Sequence, residues 1–166
     1  MPTILVFGNS GSGKTTTARR LCQLHKLAHL DLDDLAWQQT SPPQRQSLVE
    51  SGRLIASFID ANPAWVIEGC YTDLLEIAAP SADQIIYMNL PLDACIANAK
   101  KRPWEPHKYH SKRAQDANLD MLLHWIAQYE NREDTFSAAA HQRFYDAFSG
   151  NKRVYTRNEV NFGPGR

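Results

Sequence analysis

The strongest constraint on the fold of this chain is the glycine-rich segment Gly8-Asn9-Ser10-Gly11-Ser12-Gly13-Lys14-Thr15. The segment fits G-x-x-x-x-G-K-[ST] at every required position. It follows a short apolar run over 4–7 and opens a helical pattern over 13–26. A strand, a glycine-rich turn and a helix in this order surround phosphate oxygens with backbone N–H groups and the positive end of a helix. The segment therefore predicts a nucleoside-triphosphate site.

The motif also assigns expected roles to single residues. We expect Lys14 to reach the β- and γ-phosphates of ATP, and the Thr15 hydroxyl to join the coordination shell of Mg²⁺. Thr16 completes the predicted nucleotide-binding set, although Thr16 and Thr17 also suit the first turn of the helix.

Length and composition favour an ordinary globular protein. A chain of 166 residues suits one domain, here 1–166, and 43% hydrophobic with 22% charged residues is typical of such a domain. A formal net charge of zero argues against nucleic acid or an anionic membrane as the partner. The three cysteines have no paired spacing, no signal-peptide pattern opens the chain, and no apolar run reaches the roughly 18 residues of a spanning helix. We expect a cytoplasmic monomer or homodimer.

Apolar runs alternate with helical patterns along the chain. Strands are predicted at 4–7, 27–32, 65–67, 84–90 and 153–156, and helices at 13–26, 44–61, 93–101, 119–129 and 137–148. Strands that alternate with helices indicate a parallel sheet covered on both faces, which is a three-layer α/β fold.

Acidic residues follow two of these strands, where parallel sheets bind their ligands. In an extended segment, Asp31 and Asp33 point to the same side. One carboxylate could hold Mg²⁺ through water, and the other could orient or deprotonate an acceptor hydroxyl. Asp34 is a further candidate, but all three acids also suit a helix N-cap and its first turn. Glu68, at the end of the third strand, suits either a contact to Mg²⁺-bound water or a solvated strand end.

The segment 100–113, KKRPWEPHKYHSKR, holds six Lys or Arg residues and one Glu. It could be a lid that closes over the phosphates, a solvated loop, or a surface on which nucleic-acid bases stack. We favour the lid, with Arg102 and Arg113 as its phosphate contacts because guanidinium groups bind phosphate in a bidentate manner.

The phosphate loop, Asp31-Leu32-Asp33 and Glu68-Gly69 together resemble the adenylate kinase and shikimate kinase group of small P-loop kinases. A closer resemblance, to the adenylate-kinase-related "DNA topology modulation" proteins, rests on Leu32–Trp37, Trp65–Tyr71 and Asn89-Leu90-Pro91. The resemblance spans about 3–157. It implies a five-stranded parallel sheet of order 2-3-1-4-5, an acceptor-binding segment over about 34–61 and a lid over about 100–135, in which Arg132 takes the place of a second lid arginine.

The chain also departs from the patterns of this group. Glu68-Gly69-Cys70-Tyr71 stands where shikimate kinases have a triple-glycine turn and adenylate kinases have Asp-Gly-Phe-Pro-Arg. This difference argues against shikimate and against a nucleoside monophosphate as the acceptor. Asn98 stands where the group usually has an arginine.

Other residues are candidates for the acceptor or the nucleotide. Arg45 or Arg53 could hold an anionic substrate, Trp37 and Tyr71 could line the acceptor pocket or belong to the core, and Arg157 could contact adenine or ribose.

The sequence therefore predicts an ATP- and Mg²⁺-dependent phosphotransferase that acts on a hydroxyl or phosphate of a small molecule. A nucleoside or nucleotide kinase, and a nucleotide-dependent regulator or DNA-associated ATPase, remain alternatives. The predicted catalytic residues are Lys14, Asp33, Arg102, Arg113 and Arg132, and the predicted magnesium-site residues are Thr15, Asp31 and Glu68.

Overall fold

The computed structural model describes residues 1–158, which form an α/β fold around one five-stranded sheet of order β2-β3-β1-β4-β5. All four strand pairs are parallel. The strands are Thr3–Gly8 (β1), Ala28–Asp31 (β2), Trp65–Gly69 (β3), Gln84–Met88 (β4) and Asn151–Tyr155 (β5). The predicted fold class and strand order are therefore confirmed. Residues 159–166 of the predicted domain lie outside the described part.

Helices connect the strands and cover both faces of the sheet. They are Lys14–His25 (α1), Leu48–Ala61 (α2), Thr72–Ala78 (α3), Leu92–Lys101 (α4), Lys112–Ala117 (α5), Leu119–Ala127 (α6) and Ala138–Ala147 (α7). Within residues 1–158, no helix is long and apolar enough to cross a membrane.

The helix predicted over 44–61 begins later, at Leu48. Trp37 and Arg45 form an antiparallel bridge, and the Gln46 amide donates to the Ala36 carbonyl at 2.8 Å, so the chain before Ser47 is extended. The Ser47 hydroxyl then accepts from the Glu50 amide at 3.2 Å and caps the helix. The sequence analysis did not predict α3 and α5, because helices of seven and six residues are too short to show a clear apolar period.

The central strands are buried on both faces. Leu5 and Phe7 of β1 belong to a core cluster shared with α2, α3 and α7, whereas Ile4 and Val6 belong to a second cluster shared with α1, α4 and α6. Successive side chains of a strand point to opposite faces, so burial on both sides produces the continuous apolar run read from the sequence. The strand β5 is mostly exposed, and its polar start at Asn151 explains why it was predicted two residues too late.

A buried polar network ties α7 to the end of β3. His141 is fully buried, and its Nε2–H donates to the Cys70 carbonyl at 2.8 Å. Its Nδ1 accepts from the Tyr129 hydroxyl at 2.6 Å, and the Tyr87 hydroxyl lies 2.8 Å from that of Tyr129. Burial lowers the pKa of His141 to about 4, so its imidazole is neutral. The network holds the backbone just beyond Gly69, at the edge of the sheet where the acids lie.

Phe7 offers a test of this core. Its ring is fully buried, stacks on Tyr87 at 4.8 Å between centroids and meets Phe144 edge-on at 5.0 Å. We expect Phe7→Ala to lower the free energy of unfolding by about 3–5 kcal/mol, because it removes a packed ring and leaves a cavity. Urea denaturation followed by circular dichroism measures this change.

Val49→Ala is the control, because Val49 lies on α2 and is 85% exposed. Its expected effect lies within about 0.5 kcal/mol. Equal effects of the two substitutions would contradict the described packing of Phe7.

Candidate active site

The carboxyl ends of β1, β2 and β3 meet at one cavity of about 430 Å³. The phosphate loop lies on one side of it, the acids that end β2 and β3 lie on another, and the segment after α4 covers part of it. The lining groups used below are Lys14, Thr15, Asp31, Asp33, Glu68, Asn98, Arg102, Glu105, Lys108 and Asn158. The predicted loop residues Ser10, Gly11, Gly13 and Thr16 also line the cavity.

The phosphate loop adopts a conformation that requires glycine at two positions. Gly11 and Gly13 have φ angles of 78° and 87°, in the left-handed region. A Cβ at Gly11 would lie 2.4 Å from the Cys95 carbonyl oxygen, and a Cβ at Gly13 would lie 2.4 Å from Asn158 Nδ2. A side chain at either position would therefore force the loop or its neighbours to move.

Two asparagine side chains hydrogen-bond to the backbone of the loop. Asn98 Nδ2 donates to the Gly11 carbonyl and to Asn158 Oδ1, both at 2.8 Å, and Asn158 Nδ2 donates to the Ser12 carbonyl at 2.9 Å. Because a trans peptide directs its N–H opposite to its carbonyl, these bonds fix the orientation of the Ser12 and Gly13 amides that follow. From the sequence, Asn98 was noted only because it stands where the kinase group usually has an arginine, and Asn158 was not singled out.

Gly8, Asn9 and Ser12 form the base of the loop and are buried. Asn9 Nδ2 donates to the Ile126 carbonyl at 3.3 Å, and the Asn9 carbonyl accepts from Ser12 N at 3.1 Å and from Lys14 Nζ at 2.9 Å. The Lys14 ammonium thus lies across the loop, next to the amides that the motif assigns to phosphate.

Thr15 and Glu68 form the polar contact between the loop and β3. The Thr15 hydroxyl donates to Glu68 Oε1 at 2.9 Å, while Glu68 is 1% exposed and its Oε2 has no hydrogen-bond partner among residues 1–158. A buried carboxylate oxygen without a donor is costly, and a cation or its bound water would remove that cost. A hydroxyl and a carboxylate are oxygen donors of the kind that Mg²⁺ prefers, so these residues fit the ion.

The protein side chains alone do not form a complete metal site. In the described chain, no group of three or more His, Cys, Asp or Glu residues could hold a metal ion. Magnesium in nucleotide sites keeps water and phosphate oxygens among its ligands, so Thr15 with a nearby carboxylate agrees with that mode of binding.

The Asp33 carboxylate is held by an aromatic pair. The Tyr71 hydroxyl donates to Asp33 Oδ1, and Trp37 Nε1 donates to the Tyr71 oxygen at 2.9 Å. Burial and the Asp33 charge raise the pKa of Tyr71 above its usual value, so the phenol keeps its proton and remains a donor. Trp37 and Tyr71 were candidate acceptor-pocket residues, and the structure shows that they position Asp33.

The other oxygen of Asp33 contacts Lys108, which the sequence analysis did not single out. Lys108 Nζ lies 2.8 Å from Asp33 Oδ2, 3.5 Å from Asp31 Oδ2 and 3.4 Å from Glu105 Oε2. Burial disfavours its charged form, but the three carboxylates outweigh that effect and raise the pKa of Lys108 above its usual value. Burial also acts to raise the pKa of Asp33, yet Lys108 and the Tyr71 hydrogen bond lower it below the usual value. Asp33 is therefore ionised.

Asp31 ends β2, and its Oδ1 accepts from the Asp33 amide at 2.9 Å. The expectation that both acids lie in one extended segment is wrong, because Asp33 belongs to a short 3-10 turn over Leu32–Asp34 that Asp31 caps. Both acids nevertheless line the cavity, whereas Asp34 is exposed. Burial and the charges of Glu68 and Asp33 raise the pKa of Asp31 to about 7.

The predicted arginines occupy different environments. Arg102 lines the cavity and pairs with Glu105 at 3.4 Å. Arg113 is exposed on α5, and Arg132 stacks on the Trp125 ring at 4.0 Å and donates to the Trp125 carbonyl at 3.2 Å. Arg157 is exposed, and neither it nor Arg113 or Arg132 is among the cavity-lining residues. Their assignment to phosphate or nucleotide remains a prediction.

Arg45 and Arg53 each pair with an acid of the chain. Arg45 Nη2 lies 3.2 and 3.1 Å from the Asp73 carboxylate oxygens, and its guanidinium lies 5.0–5.9 Å from the rings of Trp37, Tyr71 and Phe136. Arg53 pairs with Glu50 at 2.7 Å on the exposed side of α2. In this arrangement neither arginine is placed to bind an anionic substrate in the cavity.

The sequence of the chain matches no protein-family model and no curated protein. Solved structures, however, share its fold over nearly its whole length. The shikimate kinase from Acinetobacter baumannii in complex with shikimate aligns with a TM-score of 0.54 and 15% identity, over 95% of this chain and 85% of that one. The chain shares the fold of this kinase.

Two further structures show the same similarity. The shikimate kinase from Bacteroides thetaiotaomicron aligns with a TM-score of 0.54 and 13% identity, over 96% of this chain and 89% of that one. An unliganded sugar kinase from a Janibacter species aligns with a TM-score of 0.52 and 16% identity, over 94% and 85%. The resemblance to "DNA topology modulation" proteins remains a prediction.

The raised pKa of Asp31 predicts a pH-dependent stability. Folding shifts this pKa from 3.8 to about 7, so between these values the folded state binds the proton more tightly than the unfolded state does. Asp31 therefore lowers the stability of the protein as the pH rises toward 7, and Asp31→Asn lacks this loss. We expect the stability advantage of Asp31→Asn to grow by about 1–3 kcal/mol from pH 5 to pH 8.

Urea denaturation of both proteins at the two pH values measures the difference. Asp60→Asn, at an exposed position on α2, reports the general effect of removing a carboxylate. A pH-independent difference between Asp31→Asn and the parent protein would show that Asp31 is not perturbed.

Proposed function

We propose that the chain is an ATP- and Mg²⁺-dependent phosphotransferase that acts on a hydroxyl of a small molecule. One observation carries this proposal: the ionised Asp33 carboxylate, held in place by Tyr71, shares one cavity with Lys14 and the phosphate loop. The solved structures of similar fold are named as shikimate and sugar kinases, which supports a small-molecule acceptor.

The donor side of the cavity binds the triphosphate. The backbone amides of the loop, which Asn98 and Asn158 hold in place, surround the phosphate oxygens. Lys14 Nζ leaves the Asn9 carbonyl and binds the phosphate oxygens instead. Thr15 Oγ1 would hold Mg²⁺, with Glu68 and Asp31 contacting its bound waters. When bound, Mg²⁺ neutralises charge that develops on the phosphate oxygens.

The acceptor side presents Asp33 Oδ2. Tyr71 fixes Oδ1, so Oδ2 is the oxygen that can accept a hydrogen bond from the acceptor hydroxyl once Lys108 moves away. The hydroxyl oxygen bonds to the γ-phosphorus while the bond from that phosphorus to the ADP oxygen breaks, and the proton passes to Asp33 Oδ2. Catalysis consists mainly of positioning and charge stabilisation.

The segment after α4 supplies the remaining charge. Lys101, Arg102 and Lys108 are the basic residues of the stretch 100–113 that line the cavity. Because Lys108 is bound to the acids of the acceptor side, we assign the stabilisation of the transferring phosphoryl group to Arg102. Arg113 and Arg132 would take part if this segment changes position on substrate binding, as lids of kinases do.

Lys14→Ala tests the proposal. Removal of a charge that contacts the transferring phosphate is expected to lower phosphate transfer by about 100-fold or more. We would measure ADP release and phosphorylated product with a panel of hydroxyl-bearing metabolites, and confirm folding by circular dichroism.

Lys100→Ala is the matched control, because Lys100 is exposed on α4 and is not among the cavity-lining residues. Its transfer rate should stay near that of the parent protein. ATP hydrolysis without any phosphorylated acceptor would instead support the nucleotide-dependent regulator or ATPase.

A further inference from the structure

Three carboxylates of the acceptor side contact the Lys108 ammonium, and one of them, Glu105, also pairs with Arg102 at 3.4 Å. Asp31, Asp33 and Glu105 each have an oxygen within 3.5 Å of the Lys108 ammonium. Two of these acids come from the end of β2, and Glu105 comes from the same segment as Lys108. Like charges this close together disfavour one another unless a positive charge lies between them.

Lys108 blocks the carboxylate oxygen of Asp33 that the acceptor would contact. Its ammonium is bound to Asp33 Oδ2, the oxygen that the proposed function assigns to the acceptor hydroxyl. The lysine lies in the stretch between α4 and α5. An acceptor that reaches Asp33 must therefore displace the ammonium from the carboxylates.

The charge of the acceptor determines what that displacement costs. A neutral polyol would leave Asp31 and Asp33 without their cation, and an anionic acceptor would add a further negative charge. Neither nearby arginine compensates for this, because Arg102 pairs with Glu105 and Arg45 is bound to Asp73. A protonated amine replaces the lost charge.

A fourth carboxylate adds to the negative charge of the same cavity. Glu68 is almost completely buried and lines the same cavity, and its Oε2 has no hydrogen-bond partner among residues 1–158. The proposed function assigns Glu68 to Mg²⁺-bound water, so Glu68 adds a further carboxylate to this cavity without binding the acceptor.

We propose that the phosphate acceptor carries a protonated amine beside the hydroxyl that it presents to Asp33, as an amino alcohol or amino sugar does. This inference rests on the proposed kinase function. The Lys108 ammonium holds the place of the substrate amine, which binds between Asp31 and Glu105 while the hydroxyl binds Asp33 Oδ2.

Lys108→Ala tests the cation site without knowledge of the natural substrate. We expect ethanolamine to bind this variant at least about tenfold more tightly than ethylene glycol does, because its ammonium forms charge-assisted hydrogen bonds with the carboxylates. Calorimetry with a nonhydrolysable ATP analogue present measures both affinities, and circular dichroism confirms the fold.

Lys112→Ala is the matched control, because Lys112 is an exposed lysine of α5 that pairs with Asp116 at 2.8 Å. It keeps Lys108 in place, so its affinity for ethanolamine should stay at least about tenfold below that of Lys108→Ala. Equal affinities of the two variants, or equal affinities for ethanolamine and ethylene glycol, would overturn the inference.

Phosphate transfer by the parent protein separates this inference from the proposed function. The acceptors compared are D-glucosamine, D-glucose and D-glucuronate, and the pair ethanolamine and ethylene glycol. Higher kcat/KM for the amine than for its neutral or anionic counterpart supports both. Equal or better transfer to the neutral or anionic compounds overturns the inference and leaves the kinase function intact. Ethanolamine binding to Lys108→Ala without transfer to any compound supports the cation site and contradicts the kinase function.

Discussion

The parallel register of β1, β3 and β2 determines where every group of the site lies. Phe7 pairs with Gly69, and Glu68 pairs with Asp31, so the three strands end side by side. The phosphate loop begins where β1 ends, and the acids begin where β2 and β3 end. A shift of one residue in either pairing would turn the acids toward the other face of the sheet.

The same register creates an electrostatic cost. It brings Asp31 and Glu68 together in a buried setting, and Asp33 follows on the next turn, so the pKa of Asp31 rises to about 7. Lys108 offsets part of this cost in the described structure, and Thr15 donates to Glu68. In the proposed function, Mg²⁺ with its waters and an amine on the acceptor supply the remaining positive charge. In the proposed function, binding of these cations would relieve the electrostatic cost that the acids impose on the free protein.

Local sequence patterns predicted the parts of the site that depend on neighbours in the chain. The glycine spacing identified the loop, the apolar runs identified the buried strands, and Asp31, Asp33 and Glu68 followed from their positions at strand ends. Contacts between distant segments gave no such signal. Asn98 meets the loop across 87 residues, and Lys108 meets Asp33 across 75, so only the folded chain shows that these side chains belong to the site. For the same reason, the sequence could not show that Arg45 is bound to Asp73.

The central claim is that Asp33 orients the acceptor for phosphate transfer without taking part in ATP binding. The most direct measurement compares Asp33→Asn with the parent protein, using the best acceptor of the hydroxyl panel at saturating ATP. The account predicts that kcat falls by about 100-fold or more, as for a lost general base. The dissociation constant for a nonhydrolysable ATP analogue should change less than about threefold. An unchanged kcat, or a loss of nucleotide binding equal to the loss of transfer, would contradict the account.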